Sequence, residues 1–218
     1  MCGRYTLYQQ GKLPGLFKVP ASETKKFKER YNIAPSQNVP VVVRREDGNH
    51  LEEMKWGFMT PWMKDPKDMF KYSMFNARSE GIFEKPTWKK AIRFQRCLVP
   101  SNGFYEWKKE DDGKHPFLIR PKDQELFAFG GIFGHWKDAE GVEWGTYSIV
   151  TTTPNKEMSS IHNREPLMLK PEDHDLWLDP SMDEPEAIAE LIKPYKDGML
   201  QMFEVSRDVN SARSDAAS

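Results

Sequence analysis

Three short polar turns divide the middle of the sequence into extended segments, and they restrict the fold more than any other feature. Asp47-Gly48, Asp112-Gly113 and Glu140-Gly141 each separate two runs rich in β-branched and aromatic residues. Connections this short join antiparallel neighbours, because a parallel pair of strands needs a longer crossover. The chain is therefore predicted to fold as a β-meander of successive hairpins.

The segments between these turns predict the fold class. Strands are expected at 39–45, 51–58, 103–109, 116–120, 126–132 and 144–152, with 126–132 following 116–120 through a turn at 121–123. Helices are expected at 22–31, 88–94, 172–178 and 186–192. We expect an α+β fold with a strongly curved, barrel-like antiparallel sheet and short flanking helices. Because no repeat or Gly/Ser linker occurs, residues 1–218 are predicted to form one domain, with its core at 2–210 and a flexible tail at 211–218.

Composition excludes several classes of protein. The 218 residues are 38% hydrophobic and 12% aromatic, which is typical of a globular chain. The longest near-apolar run, 126–134, is less than half of the roughly 20 residues that a membrane helix needs. Cys2 and Cys97 make no disulfide framework, and with five scattered histidines they show no metal-ligand spacing. We expect a cytoplasmic protein without metal or cofactor, in which Cys97 is a small buried hydrophobic residue.

Charge is distributed unevenly along the chain. The net charge is −1, which by itself argues against a nucleic-acid binder. Residues 1–120, however, hold 23 basic and 14 acidic side chains, whereas residues 121–218 hold 9 and 19. The first part, at +9, can form a local positive surface for a polyanion. Charge alone therefore leaves nucleic acid open as a partner.

Cys2 has the most distinctive chemistry in the sequence. If Met1 is removed, Cys2 presents a thiol and a free α-amine on adjacent carbons. The ordinary pKa values of these groups, about 8.5 and about 7.7 to 8.0, leave both partly activated at neutral pH. With an aldehyde the amine forms a Schiff base, and the thiolate then attacks the imine carbon to close a thiazolidine ring. An internal cysteine cannot do this, because its nitrogen is an amide.

Three further segments contain side chains that suit such chemistry. Asn76 and Arg78 are two residues apart, so an extended backbone places them on one face. Glu106 lies among aromatic residues, where burial would suit a carboxyl group to general acid/base work. His162 lies close to a cation, Arg164. Spacing alone does not bring these residues together, and each taken singly is more often structural.

Ordered motifs along the chain resemble the SOS-response-associated peptidase (SRAP) family. The start Met-Cys-Gly-Arg-Tyr-Thr is followed by matching motifs at 31–35, 54–58, 76–80, 96–100, 103–107 and 161–164. The match continues to 205–206 and 209–210, so it covers nearly the whole chain. The resemblance implies a protein that senses abasic sites in single-stranded DNA and bonds to them through its mature N-terminal cysteine, with crosslink reversal and lyase activity as related reactions.

The resemblance also implies roles for individual residues. Cys2 is the crosslinking nucleophile, Glu106 the proton shuttle that forms and reverses the imine, and Asn76 holds the opened sugar and the amine. His162 donates a proton to the sugar oxygen as the ring opens. Single-stranded DNA with abasic sites is the implied partner, and proteins of the replication fork are a further class of partner. The protein is expected to act as a monomer. If the source is bacterial, it is expected to act at the nucleoid.

The same resemblance assigns contacts to the DNA strand. The implied phosphate contacts, which orient a strand without reading bases, are Arg4, Arg78 and Arg164. Trp62 is the implied aromatic beside the gap left by the missing base, and Asn32 and Pro35 shape the pocket wall. The family usually has Met-Pro after its His-x-Arg motif, whereas this chain has Glu165-Pro166. A carboxylate beside Arg164 leads us to expect weaker DNA affinity.

Three other interpretations remain open at the level of sequence. A cysteine peptidase, whose Cys2 is exposed by autocatalytic cleavage, would use the thiol with His162 and Glu106, and Asn76 as oxyanion donor. A single-strand binding module would dock bases and phosphates with Cys2 inert and would show reversible, salt-sensitive binding. Glutamine amidotransferases also begin with Met-Cys-Gly, but the His-Arg-Gly motif expected further along is missing.

Overall fold

The strands divide between two sheets in the computed structural model, which describes residues 2–215. The strands are β1 (Arg4–Leu7), β2 (Arg30–Ile33), β3 (Asn38–Arg45), β4 (Gly48–Trp56), β5 (Asn76–Arg78), β6 (Arg96–Ser101), β7 (Gly103–Glu110), β8 (Gly113–Pro121), β9 (Phe127–Lys137), β10 (Glu143–Thr152), β11 (Glu165–Pro166), β12 (Met168–Leu169) and β13 (Leu200–Glu204). The helices are α1 (Leu13–Phe17), α2 (Ala21–Thr24), α3 (Asp68–Lys71), α4 (Lys89–Phe94), α5 (Lys156–Ser159), α6 (His174–Leu178) and α7 (Pro185–Ala189). Short 3-10 turns occupy Gln10–Lys12, Pro171–Asp173 and Arg207–Asn210.

Five strands close into a barrel. β4 pairs with β3, β3 with β6, β6 with β9 and β9 with β10, all antiparallel. β10 then pairs in parallel with β4, which completes the ring. β5 and β11 add to β10, the first in parallel and the second antiparallel. The expected α+β fold with a barrel-like sheet is thus confirmed, but the barrel is mixed and not wholly antiparallel, because β10 pairs in parallel with β4.

The second sheet has the order β13-β8-β7-β1-β2. β1 pairs with β7 so that Arg4 lies opposite Tyr105 and Tyr5 opposite Phe104. Tyr5 is fully buried and joins the two sheets, because its hydroxyl lies 2.8 Å from the hydroxyl of Tyr147 on β10. β1 is therefore held both by its own sheet and by the barrel.

Hairpins with short turns are predicted well by the sequence. β3 and β4 form one hairpin, β7 and β8 another, and β9 and β10 a third, as the Asp-Gly and Glu-Gly turns indicated. The helices expected at 88–94 and 172–178 are confirmed, and the second of them begins with a 3-10 turn. The helix expected at 186–192 is shorter than predicted, because α7 ends at Ala189. Cys97 is buried opposite Gly131, where an added Cβ would lie 2.9 Å from Sγ.

Two predictions about local structure are wrong. The helix expected at 22–31 covers only α2, because residues 30–33 form β2 and pair with β1. A single pair of apolar residues at helical spacing does not outweigh this pairing. The strand at 126–132 exists as β9, but it does not pair with β8: β8 lies in the second sheet and β9 in the barrel. The segment between them therefore connects two sheets.

Residues 211–215, which the sequence places in a tail, are held against β2. The side-chain amide of Asn32 donates to the carbonyl oxygens of Ser211 and Ser214 at 2.9 and 2.8 Å. The carboxylate of Asp215 accepts the backbone N–H groups of Tyr31 and Asn32 and pairs with Arg30. The remainder of the predicted tail, 216–218, lies outside the described residues.

Candidate active site

Cys2 lies two residues before the start of β1 and is fully buried. Its thiol donates a long hydrogen bond to the carbonyl oxygen of Arg4, with 3.8 Å between Sγ and O. Burial raises the pKa of the thiol, and the charge of Glu106 raises it further. The thiol is therefore protonated at neutral pH and needs a neighbouring base to become a nucleophile.

Asn76 binds the backbone of Cys2 from the barrel side. Its Nδ2 donates to the carbonyl oxygen of Cys2 at 2.9 Å. The parallel pairing of β5 with β10, which sets Asn76 opposite Ile149, fixes the position of this side chain. Its Oδ1 is buried and accepts no hydrogen bond within residues 2–215. One atom of the amide thus holds Cys2, while the other is an acceptor available to a ligand.

Glu106 reaches the same place from β7. The carboxylate is buried, with 4% of the residue exposed. Because Arg4 pairs with Tyr105, the start of β1 runs beside Glu106. The charge of Glu106 acts on both the Cys2 thiol and the His162 imidazole. A buried carboxylate close to a thiol and an imidazole is suited to moving protons between them.

His162 follows α5 and is half-buried. Its backbone N–H donates to the carbonyl oxygen of Met158 at 2.8 Å, and its Nδ1 accepts the backbone N–H of Arg164 at 3.1 Å. Since Nδ1 accepts, the neutral ring carries its proton on Nε2. Burial lowers the pKa of His162, an effect that Glu106 opposes. At neutral pH the ring is thus a neutral donor through Nε2–H.

The structure brings together the four residues expected to carry the chemistry: Cys2, Asn76, Glu106 and His162. They come from the segment before β1, from β5, from β7 and from the loop after α5. Their convergence depends on the contact between the two sheets and not on any spacing in the sequence.

The three arginines expected to contact phosphates differ in their surroundings. Arg78, on β5 two residues beyond Asn76, is exposed. The guanidinium of Arg4 donates to Asn32 Oδ1 at 2.9 Å and to the carbonyl oxygen of Val209 at 2.8 Å. Arg164 is 9% exposed; it pairs with Glu80 and donates to the carbonyl oxygen of Thr151 at 2.7 Å. Two of the three cations therefore already hold partners within the protein.

The remaining expected contacts are placed as follows. Asn32 is buried, and its amide binds Arg4 and the backbone of the chain end. Pro35 follows β2 and is half-buried. Trp62 has 54% of its surface exposed, and its ring lies edge-on to that of Tyr72 with 5.0 Å between centroids. Of these three, Trp62 offers a free ring face to a ligand.

Comparison with known proteins identifies the family. A family model described as SOS response associated peptidase (SRAP) matches residues 1–212. The chain belongs to the SRAP family. It is 36% identical to the abasic site processing protein YoqW of Bacillus subtilis (strain 168), over 99% of this chain and 97% of that protein. It is 30% identical to the abasic site processing protein YMR114C of Saccharomyces cerevisiae, over 96% of this chain and 64% of that protein.

A solved structure shares this fold. A crystal structure of a protein from Bacteroides thetaiotaomicron superposes with a TM-score of 0.85 at 28% identity, over 95% of this chain and 93% of that one. This similarity includes both sheets, since it extends over nearly the whole chain. The SRAP fold is thus the frame on which the four converging residues are held.

Glu165, the departure from the SRAP Met-Pro pattern, does not add a surface carboxylate. It is 1% exposed. Its Oε2 accepts the backbone N–H of Asn155 at 2.7 Å, and its Oε1 accepts that of Tyr195 at 2.5 Å. Burial raises the pKa of Glu165 to about 7. The physical basis for expecting weaker DNA affinity is therefore absent, because this carboxylate faces the interior.

The sequence did not reveal the hydrogen bonds that hold the loop of His162 in place. Asn155, held by Glu165, caps α5 by accepting the backbone N–H of Met158 at 2.8 Å. Met158 in turn binds the backbone of His162. An asparagine three residues before a buried methionine is an ordinary capping signal, but nothing in the sequence links it to Glu165.

A possible ion-binding group lies apart from these residues. Among residues 2–215, the group that could hold a metal is Glu110, Asp112 and His115 at the tip of the β7–β8 hairpin. The His115 ring already lies 2.8 Å from Asp112 and 2.8 Å from Glu204. In the part of the chain that the structure describes, no helix is long and apolar enough to cross a membrane.

Proposed function

We propose that this SRAP protein processes abasic sites in single-stranded DNA and bonds to them through Cys2 once Met1 has been removed. Relatives matched over nearly the whole chain are named abasic site processing proteins. The environment of Cys2 is the observation that supports the covalent step. Its carbonyl oxygen accepts a hydrogen bond from Asn76, and the charge of Glu106 raises the pKa of its thiol. An abasic sugar in its open form is an aldehyde attached to a polyanion. A protein that bonds to it needs an amine to react with the aldehyde, a side chain that transfers protons, and cations that bind the phosphates.

The covalent chemistry is a condensation in two steps. The α-amine of Cys2 adds to the aldehyde carbon, and the resulting hydroxyl leaves as water to give a Schiff base. Sγ then adds to the imine carbon while the thiol proton passes to nitrogen, which closes the thiazolidine. Glu106 carries the protons that the amine nitrogen gives up to the departing oxygen, and then carries the thiol proton to the imine nitrogen. Because the pKa of the thiol is raised, the second step depends on this base.

His162 and Asn76 prepare the sugar for this reaction. The ring form of an abasic sugar must open before it presents an aldehyde, and the ring oxygen then needs a proton. Nε2–H of His162 is the donor suited to that oxygen, since Nδ1 is occupied by the Arg164 backbone. Oδ1 of Asn76 accepts a hydrogen bond from the amine or a sugar hydroxyl, which keeps the two reactants in register.

Arginines orient the strand around this centre. Arg78 is exposed on the same strand face as Asn76 and contacts a phosphate directly. A phosphate that binds Arg164 replaces Glu80, whose side chain is 56% exposed and so can move aside. Arg4 contacts a phosphate of the DNA strand close to Cys2 and keeps its hydrogen bond to Asn32.

The test is covalent capture of an abasic oligonucleotide by the mature protein. The intact mass should first verify that Met1 is absent, and should then show an adduct that has lost one water. The adduct should survive a denaturing gel without a reductant. Cys2→Ala should abolish this adduct, because it removes the sulfur that closes the ring. An undiminished adduct with Cys2→Ala would contradict the proposal.

Two controls separate the amine from the thiol. Cys2→Ala keeps the α-amine, so cyanoborohydride should still trap its Schiff base with the abasic strand. Capping the amine while sparing the thiol should abolish capture by the wild-type protein. A cysteine peptidase would tolerate that cap, because its mechanism needs only the thiol.

Glu106→Gln should slow capture and reversal while leaving the binding of intact strands close to normal. A loss of about 100-fold or more in rate is the usual range for a general acid/base group. Strand cleavage by β-elimination from the same Schiff base should be assayed in parallel, since a lyase would release a shortened strand. Equal losses in binding and in chemistry would assign Glu106 a structural role.

A further inference from the structure

His162 lies in a loop that leaves β10 and returns to it, and Glu165 closes the base of this loop. β10 ends at Thr152, and β11 begins with Glu165, which lies opposite Thr152 in the antiparallel pair. The side chain of Glu165 reaches back to the start of the same loop, where its Oε2 accepts the backbone N–H of Asn155 at 2.7 Å. Glu165 therefore fixes both ends of the loop, one by strand pairing and the other by its carboxylate.

The second oxygen of this carboxylate attaches the loop to another part of the chain. Oε1 of Glu165 accepts the backbone N–H of Tyr195 at 2.5 Å. Two residues further on, the carboxylate of Asp197 accepts the backbone N–H of Lys156, the first residue of α5, at 3.0 Å. The start of the loop is therefore bound to the segment between α7 and β13, and Glu165 lies where the loop and that segment meet.

A series of hydrogen bonds leads from Glu165 to His162. Asn155, whose backbone Glu165 binds, caps α5 with its side chain, which accepts the backbone N–H of Met158 at 2.8 Å. Met158 is fully buried, and its carbonyl oxygen accepts the backbone N–H of His162 at 2.8 Å. The place of His162 thus depends on α5, and the place of α5 depends on Asn155 and Glu165.

A carboxylate at this place is costly for the stability of the fold. Glu165 is 1% exposed, and burial raises its pKa to about 7, as do the charges of Glu157 and Asp197. An apolar side chain would avoid this cost, but it could not accept two backbone N–H groups at once. Residues that cost stability are expected where function requires them. The position of Glu165, at the base of the loop that carries His162, indicates that the function is one of positioning.

We propose that Glu165 is a positioning residue for His162, and that it fixes the loop so that Nε2–H of His162 can give its proton to the ring oxygen of the abasic sugar. This inference rests on the proposed function, because it takes ring opening by His162 as the step that Glu165 supports. Glu165 is buried and does not touch the strand. It should therefore affect the opening of the sugar and leave the reaction of Cys2 with a free aldehyde unchanged.

The test compares the rates at which the mature protein captures two single strands at pH 8, where Glu165 is ionised. One strand has an ordinary abasic site, whose sugar ring must open, and the other has an acyclic aldehyde in its place. Glu165→Gln removes one of the two acceptors. It should lower the ratio of the first rate to the second by about 10-fold, part of the roughly 100-fold that a 1 Å misplacement can cost. Partial unfolding would lower both rates equally and leave the ratio unchanged.

A double mutant measures whether Glu165 acts through His162. His162→Ala should lower the same ratio by about 100-fold or more, the usual range for a general acid. Adding Glu165→Gln to His162→Ala should cause no further fall, because the side chain that Glu165 positions is then absent. Asn155→Ala should lower the ratio as Glu165→Gln does, whereas Asn155→Ser, which keeps an oxygen that can cap α5, should retain it.

Glu23→Gln is the matched control. The carboxylate of Glu23 also accepts a backbone N–H, that of Leu51 at 2.7 Å, and so joins α2 to β4. This variant should keep the wild-type ratio. An unchanged ratio in Glu165→Gln, an equal fall in Glu23→Gln, or a further fall in the double mutant would overturn the positioning role. Failure of the proposed function would be distinguishable, because the wild type would then form no Cys2-dependent adduct with either strand.

Discussion

Glu165 is a buried carboxylate that joins two loops, and its two oxygens each accept one backbone N–H. Its pKa in the folded protein, about 7, is above its unfolded value because burial disfavours the charged form. The folded state therefore binds more protons than the unfolded state between about pH 4.5 and pH 7, and stability falls as the pH rises through that range. Above about pH 7 the loss of stability caused by ionising Glu165 levels off.

Glu165→Gln should change both the stability and its pH dependence. A glutamine offers one oxygen and one amide nitrogen, so one of the two backbone donors loses its acceptor, at a cost of about 1–3 kcal/mol. Because glutamine carries no charge, the free energy difference between wild type and variant should be larger at pH 5 than at pH 8. Urea unfolding at both pH values measures it. A difference independent of pH would contradict the assigned ionisation.

Single residues also show what the sequence could and could not predict about the site. Cys2, Asn76, Glu106 and His162 were expected, because each stands in a motif whose residue type suits a step of the chemistry. The burial of Glu165 was not, since its partners Asn155 and Tyr195 are 10 and 30 residues away in the chain. Tertiary contacts of this kind leave no local pattern in a single sequence.

At the level of elements, two hairpins carry the same Asp-Gly-x-His pattern, and each histidine bridges two carboxylates. His50 Nδ1 lies 2.8 Å from Glu23, on α2, and its Nε2 lies 3.0 Å from Asp47. On the other hairpin, His115 lies 2.8 Å from both Glu204, on β13, and Asp112. Both imidazole nitrogens must donate in such a bridge, so the protonated ring is favoured.

These two bridges should stabilise the fold at acidic to neutral pH. The pKa of His50 is raised by Glu23 and Asp47, and that of His115 by Glu204 and Asp112. Because the folded values exceed the unfolded value of about 6.5, the contribution is complete below that pH and is lost as the pH rises through the folded values. His50→Gln and His115→Gln should each reduce the fall in melting temperature between pH 6 and pH 9.

His135→Gln is the control for these bridges, since His135 lies 3.7 Å from a single carboxylate, that of Glu143. It should leave the pH dependence of the melting temperature as in the wild type. Equal effects from all three histidines would show that the bridges are not responsible.

Elements closed by short turns were predictable, and those fixed by distant pairing were not. The turn at Asp112-Gly113 determines the β7–β8 hairpin locally. Residues 30–33, in contrast, become β2 because they pair with β1 and bind the carboxylate of Asp215. The parallel partners of β10 likewise come from β4 and β5, far back in the sequence. Local spacing carries no information about either event.

For the whole molecule, a net charge of −1 means that long-range attraction to DNA is weak, and that strand binding depends on a few local cations. Each phosphate neutralised on a single strand contributes about −0.7 to the slope of log K against log salt concentration. If Arg4, Arg78 and Arg164 each contact one phosphate, the slope is about −2.

Arg78→Gln should therefore reduce the magnitude of this slope by about 0.7, because it removes one phosphate contact. The measurement is single-strand affinity at several salt concentrations by fluorescence anisotropy. Arg45→Gln is the matched control, since Arg45 is an exposed arginine whose guanidinium lies 2.5 Å from Glu52 on the β3–β4 hairpin. It should leave the slope unchanged. A slope for Arg78→Gln equal to that of the wild type would remove Arg78 from the strand contact, while a lower affinity with an unchanged slope would assign it to positioning Asn76 on β5.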